Sequence, residues 1–158
     1  MTAPRVRLLP LVPEALLALA VVTSAAWTLR FFLEFGYLPQ PFVFDTNDTF
    51  MDWFNTAYWA NNPGIYDVWR SIYPPLSFVF LDATSLPGCY LHNSFTARDC
   101  DWLARGTIYA FYVIDVVLAW VCFRRLDRRT APMRTIAIAL GLPMLFTIER
   151  GNLILVAF

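Results

Sequence analysis

The chain has 158 residues, of which 58% are hydrophobic, 17% aromatic and only 15% charged, with twelve basic and twelve acidic side chains in balance. Soluble domains carry about 45–50% apolar and about 25% charged residues, so this composition does not fit one. Zero net charge and high apolar content also argue against a disordered tail and a nucleic-acid binder. A membrane protein remains. One histidine, His92, leaves no His-based zinc site, and the three cysteines include no C-x-x-C pair.

Residues 15–33, ALLALAVVTSAAWTLRFFL, hold a single charge, Arg30, near their end. Nineteen residues at about 1.5 Å each reach roughly 28 Å, enough for a hydrocarbon core of about 30 Å. The rival reading is a cleaved signal peptide, with Arg5 and Arg7 ahead of it and Thr23-Ser24-Ala25 as the cleavage site. The apolar run continues past that site through Trp27, Phe31, Phe32 and Leu33, which favours a retained span. A second span is expected over 107–123, with Asp115 in its middle and Arg124, Arg125, Arg128, Arg129 and Arg134 behind it. A third covers 135–148, interrupted by Gly141 and Pro143, and another apolar run opens at Leu153 after Glu149-Arg150-Gly151-Asn152. The expectation is one membrane domain over 1–158, the N-terminal part of a longer protein.

Charge sets the expected direction. Arg5, Arg7 and the arginines after the second span belong on the cytoplasmic side by the positive-inside rule. Residues 36–105, with seven acids against three arginines, then lie outside. This requires that the apolar stretch 75–86, which contains Asp82, rests on the interface rather than crossing.

Within the outer loop, Thr46 or Asn47 is expected to cap a helix running to about Ala60, with Phe50, Phe54, Ala57 and Tyr58 as its apolar stripe. Asp48 and Asp52 stand at i, i+4 beside it, with Asp45 just upstream. They are either a solvated acidic face favoured by the helix dipole or a working cluster. Gly64 permits a turn, and Pro74-Pro75 separates two segments. Cys89 and Cys100 either pair, closing a small loop on an oxidising face, or remain thiols. Cys122 reads as span packing, and Asn47-Asp48-Thr49 matches the N-x-T glycosylation pattern. Asp115 reads as a hydrogen bond to a neighbouring helix or as part of a polar path.

The order of parts is a span, an acidic outer segment, Gly64-Ile65-Tyr66, Tyr73-Pro74-Pro75-Leu76, a span ending in arginines, another span, and Arg150-Gly151-Asn152. This resembles the N-terminal part of a GT-C superfamily glycosyltransferase, in the branch of polyprenol-phosphate-mannose-dependent α-mannosyltransferases. Counting back eighteen residues from Tyr66, the spacing of that branch, lands on Asp48. The pattern departs at Asp48-Thr49-Phe50, where the branch has Asp followed by an aromatic, and at Asn152, where Gln is commoner.

The resemblance implies an all-α integral membrane fold with GT-C-like N-terminal helices and an external loop carrying interfacial helices. It implies inverting transfer of a mannose-like sugar from a polyprenyl-phosphate donor to a lipid or glycan acceptor at the outer membrane face. An aspartate removes the acceptor's proton: Asp48 by register, then Asp52, then Asp45. Arg150 and Arg70, with Asn152, meet the leaving phosphate. Trp53, Tyr58 and Trp59 are candidates to line a sugar subsite. Partners are membrane lipids, the lipid-linked donor and a glycan or glycolipid acceptor, with no nucleic acid, cofactor or metal. The expected location is a bacterial inner (plasma) membrane with a cytoplasmic N-terminus. Two other readings stand beside it: a non-catalytic truncated membrane protein or scaffold, and a transporter subunit using Asp115.

Overall fold

Apolar length organises the chain. The computed structural model describes residues 11–36, 38–40 and 46–156, and among them it contains seven α-helices, short 3-10 turns and no strand. Helix α1 (Leu11–Phe35) and helix α5 (Trp102–Leu126) have 25 residues each. At about 1.5 Å per residue each is roughly 37 Å long, enough to cross a membrane. Their apolar windows are only 6% and 11% buried within the chain, so most of that surface faces outward, as on a lipid-facing helix. Both exceed the apolar runs at 15–33 and 107–123 because the helix continues through the charged residues at their edges, Glu14 and Glu34 in α1 and Arg105, Arg124 and Arg125 in α5. At the start of α5 the cause is local: the Asp101 carboxylate accepts the Ala104 N–H at 3.0 Å and caps the first turn.

The third apolar run forms a broken pair, α6 (Ala131–Ala139) and α7 (Leu142–Arg150), bent by 41°. A Cβ on Gly141 would stand 2.5 Å from the Ala137 carbonyl oxygen, so the elbow requires glycine. Pro143 sits in the first turn of α7, where a missing N–H costs nothing. The described residues thus hold two helices able to cross a membrane, and three if the bent pair counts as one span.

Side-chain contacts align the ends. Arg134 on α6 pairs with Glu14 on α1 at 2.7 Å and lies 6.0 Å from the Phe123 ring of α5. The start of α1, the end of α5 and the start of α6 therefore share one end of the bundle, with the arginine cluster. Asp127 accepts the Arg129 N–H at 2.9 Å and the Thr130 hydroxyl at 3.1 Å. The Arg129 bond, aided by Thr130 and nearby guanidinium groups, holds its carboxyl below the ordinary range.

At the other end, residues 46–101 build a cap. Helix α2 (Met51–Ala60) lies at its centre, packed by α3 (Pro75–Ala83), α4 (Ser94–Cys100) and the end of α7. Trp53, Phe54, Ala57, Leu81 and Ile108 are fully buried there. With nine residues, α3 spans only about 14 Å and cannot cross. It buries Phe78 and Leu81 and exposes Leu76 and Val79, the pattern of a helix lying along an interface. The run beginning at Leu153 is a 3-10 turn over Leu153–Val156.

Cys89 and Cys100 are joined by a disulfide, with Cα atoms 5.7 Å apart. Next to it Asp101 is completely buried and accepts from Leu86 N–H, Tyr90 O–H and Ala104 N–H at 2.9–3.0 Å. Three donors on one carboxylate are what make a buried charge tolerable. Burial and then that carboxylate push the Tyr90 phenol far above its ordinary value. Two sequence expectations change in α5. Cys122 is exposed rather than packed, and Asp115 is buried yet accepts no hydrogen bond among the described residues.

Candidate functional site

The acidic segment does not form one continuous helix. Thr46–Asp48 is a 3-10 turn, and α2 starts only at Met51. The residue before it, Phe50, is left-handed at φ 63°, and neither Thr46 nor Asn47 caps the helix. The cause is a tertiary bond: Phe50 N–H donates to the Glu149 carbonyl at 2.8 Å, tying the start of α2 to the end of α7. Asp48 and Asp52 accordingly lie on either side of a kink rather than on one helix face. Asp45 lies outside the described residues.

Glycine makes that crossing possible. Gly151 closes α7 at φ 62°, and the chain turns back so that Asn152 N–H donates to the Thr147 carbonyl at 2.9 Å. A Cβ at Gly151 would meet Phe50 Cα, Phe50 O and Trp53 Cβ at 3.0–3.1 Å. The Arg150-Gly151-Asn152 step is therefore the surface on which α2 rests.

Across that contact Arg150 Nη2 donates to Asp52 Oδ1 at 2.6 Å, and Asn152 Nδ2 donates to Asp52 Oδ2 at 3.2 Å. Asn152 Oδ1 accepts the Ile154 N–H at 3.0 Å, which fixes the amide. Three residues singled out in the sequence thus meet around one carboxylate, Arg150 and Asn152 lying 98 and 100 positions from Asp52. Both Asp52 oxygens are taken, while Arg150 gives only one of its five N–H groups to the pair. Asp48 stands close enough for its charge to act on Arg150. It is half-buried, and its carboxylate accepts no hydrogen bond among the described residues.

Tyr73 joins from the Tyr-Pro-Pro-Leu stretch, with Asp52 and Thr56 near enough to act on its phenol. Burial raises its phenol's pKa, and the Asp52 charge adds to that. Its carbonyl accepts the Tyr66 O–H at 3.1 Å, and Gly64 turns the chain between the two segments at φ 95°. The Gly64-Ile65-Tyr66 turn therefore anchors the strand of chain that delivers Tyr73 to the cluster.

Not every candidate joins. Arg70 is exposed, and no contact among the described residues brings it to Asp52. Trp53 is completely buried against the Phe80 ring, so it is a core residue rather than a sugar platform. Tyr58 and Trp59 are partly exposed and meet Trp69, the Trp59 and Trp69 rings being stacked at 6.4 Å. Among the described residues no group of three His, Cys, Asp or Glu side chains could hold a metal ion.

Two contributors had no local signature. Thr56, on α2, donates its hydroxyl to the Asp52 carbonyl at 2.7 Å and lies near enough to Tyr73 to act on its phenol. Arg98, on α4, donates to the Asn47 and Thr49 carbonyls at 2.5 and 3.4 Å, about fifty positions away in the chain. Compared with known protein families, curated proteins and solved structures, the chain matches none.

Proposed function

We propose that this chain belongs to a membrane glycosyltransferase of the GT-C type, moving a mannose-like sugar from a polyprenyl-phosphate donor to a lipid or glycan acceptor. The observation that carries the reading is the state of the acids. Among the described residues the half-buried Asp48 carboxylate accepts no hydrogen bond, while each oxygen of its neighbour Asp52 accepts one, from Arg150 and from Asn152. A base must have a free lone pair within reach of a hydroxyl, which favours Asp48 over Asp52.

In this reading the acceptor oxygen attacks the anomeric carbon, the bond from that carbon to the phosphate oxygen breaks, and the hydroxyl proton passes to Asp48. Polyprenyl phosphate leaves and the anomeric configuration inverts. The spare N–H groups of Arg150 meet the departing phosphate, and Asp52 orients the guanidinium. The disulfide and the cluster share the end of the bundle opposite the arginines, which supports an extracytoplasmic site and a cytoplasmic N-terminus.

The second reading is a non-catalytic scaffold in which Asp52, Arg150 and Asn152 tie α2 to α7 and nothing more. It is favoured by the bonds that Arg150 and Asn152 make to the two Asp52 oxygens. Transfer of labelled mannose from polyprenyl-phosphate mannose by membranes holding the full-length protein separates the two. Asp48→Asn abolishes transfer while insertion is unchanged. Transfer equal to the parent's would remove Asp48 from the base role.

A further inference from the structure

Asp48 closes a three-residue 3-10 turn, Thr46–Asp48. The carbonyls of the residues before and after it, Asn47 and Thr49, both accept from Arg98 Nη1, at 2.5 and 3.4 Å. A guanidinium clasping both flanking carbonyls restricts the backbone torsions that aim the Asp48 side chain. The Arg98 side chain is 17% exposed, and its Nε meets Asp99, itself 76% exposed, at 3.3 Å. That second contact lies at the surface and leaves Nη1 directed at the turn.

The helix presenting Arg98 is held from outside. Seven residues are too few for a helix to be stable alone, since nucleation costs more than so short a run returns. At its start, the Ser94 hydroxyl donates to Asn55 Oδ1 on α2 at 2.6 Å, and Asn93 caps it by accepting the Thr96 N–H at 2.9 Å. At its end, Cys100 is bonded to Cys89. Between these anchors Ala97 is completely buried in the cap core, and Arg98 follows it.

We propose that Arg98 is a positioning residue for Asp48, and that the Cys89–Cys100 disulfide sets how firmly it holds. The proposal rests on the reading of Asp48 as the base. Arg98 touches no reacting atom. It acts by keeping one backbone geometry at the turn, so that the Asp48 carboxylate faces the Asp52–Arg150 cluster instead of rotating into water. Reduction of the disulfide frees the end of α4 and loosens that hold. The oxidised protein is the competent form, which suits a site on an oxidising face.

The test uses the full-length protein in detergent micelles. Amide hydrogen exchange is followed in peptides covering residues 46–50 and, as a control, in peptides from α5. Four samples are compared: oxidised parent, parent reduced with a phosphine, Arg98→Ala and Arg98→Lys. Arg98→Ala speeds exchange in the turn at least about fivefold, with α5 unchanged. Arg98→Lys, which keeps the charge but loses the planar fork, falls between. Reduction speeds the turn in the parent and adds nothing in Arg98→Ala.

Mannose transfer from polyprenyl-phosphate mannose is measured on the same samples. Arg98→Ala lowers kcat about tenfold or more with little change in KM, and Arg98→Lys recovers part of it. A turn that exchanges at the parental rate in Arg98→Ala overturns the proposal, as does a loosened turn with undiminished kcat. If the turn loosens while the parent itself shows no transfer, Arg98 stands as the residue holding Asp48 and the base reading falls. Should Arg98→Ala fail to insert, the comparison of Arg98→Lys with reduced parent decides by the same criteria.

Discussion

Removing the Asp52–Arg150 pair gives a result whose size follows from geometry. The bond is 2.6 Å long, and its side chains are 24% and 29% exposed, so the pair lies between two energetic regimes. Exposed ion pairs contribute about 0–1 kcal/mol, and hydrogen bonds to charged groups about 1.5–3 kcal/mol. A coupling of about 1–2 kcal/mol is expected between Asp52→Ala and Arg150→Ala in a double-mutant cycle. Asp52→Ala alone costs more than Arg150→Ala alone. It also strips Asn152 of its acceptor, whereas Arg150→Ala leaves Asp52 with the Asn152 bond and access to water. The assay is equilibrium unfolding of the full-length protein in mixed micelles for the parent, both single variants and the double. A coupling under about 0.5 kcal/mol, the scatter of independent sites, refutes the claim that this pair joins α2 to α7.

Three further outcomes are expected. Gly151→Ala forces a Cβ to within 3.0–3.1 Å of Phe50 and Trp53 at a residue with φ 62°; it costs about 2–3 kcal/mol in the same unfolding assay and weakens the Asp52–Arg150 coupling. Asp101→Ala orphans three donors in a fully buried place and costs about 3–5 kcal/mol, while exposed Asp99→Ala stays within about 0.5 kcal/mol of the parent. Asp127 titrates low in the folded chain because it accepts from Arg129. Its stabilising contribution is therefore present above the unfolded value of about 3.9 and is lost as pH falls through the lower folded value. Asp127→Asn flattens that acid limb in melting curves taken between about pH 2 and 6.

Local pattern carried much of the architecture. The apolar runs that became α1, α5 and the α6–α7 pair stand out in composition, and Gly141, where a Cβ would strike the Ala137 carbonyl, and Pro143, suited to a first helical turn, mark the elbow. The Pro74-Pro75 break likewise announces α3, since proline suits the first turn of a helix. Periodicity failed at the start of α2, because the long-range bond from Phe50 N–H to Glu149 O overrides the capping signal of Thr46 and Asn47. For the same reason the i, i+4 spacing of Asp48 and Asp52 did not translate into a shared face.

Trp53 shows the opposite failure. Its indole suits a sugar subsite beside Tyr58 and Trp59, and the approach of Gly151 and Phe80 encloses it instead. Arg150, Asn152 and Asp52 were each visible as polar residues at the edge of apolar runs, yet their meeting depends on how α7 returns to α2. Arg98 was invisible, because two carbonyl acceptors about fifty residues away leave no trace in local sequence.

Sealed membrane vesicles of defined orientation give the most direct reading of the enzymatic account. Right-side-out and inside-out preparations of the full-length protein are supplied with labelled polyprenyl-phosphate mannose carried in the bilayer and with a water-soluble acceptor glycan. Label reaching the acceptor only where the disulfide-bearing face meets the acceptor, with the anomeric centre inverted, is the predicted result. Transfer confined to the arginine-bearing face, or transfer that persists with Asp48→Asn, contradicts it.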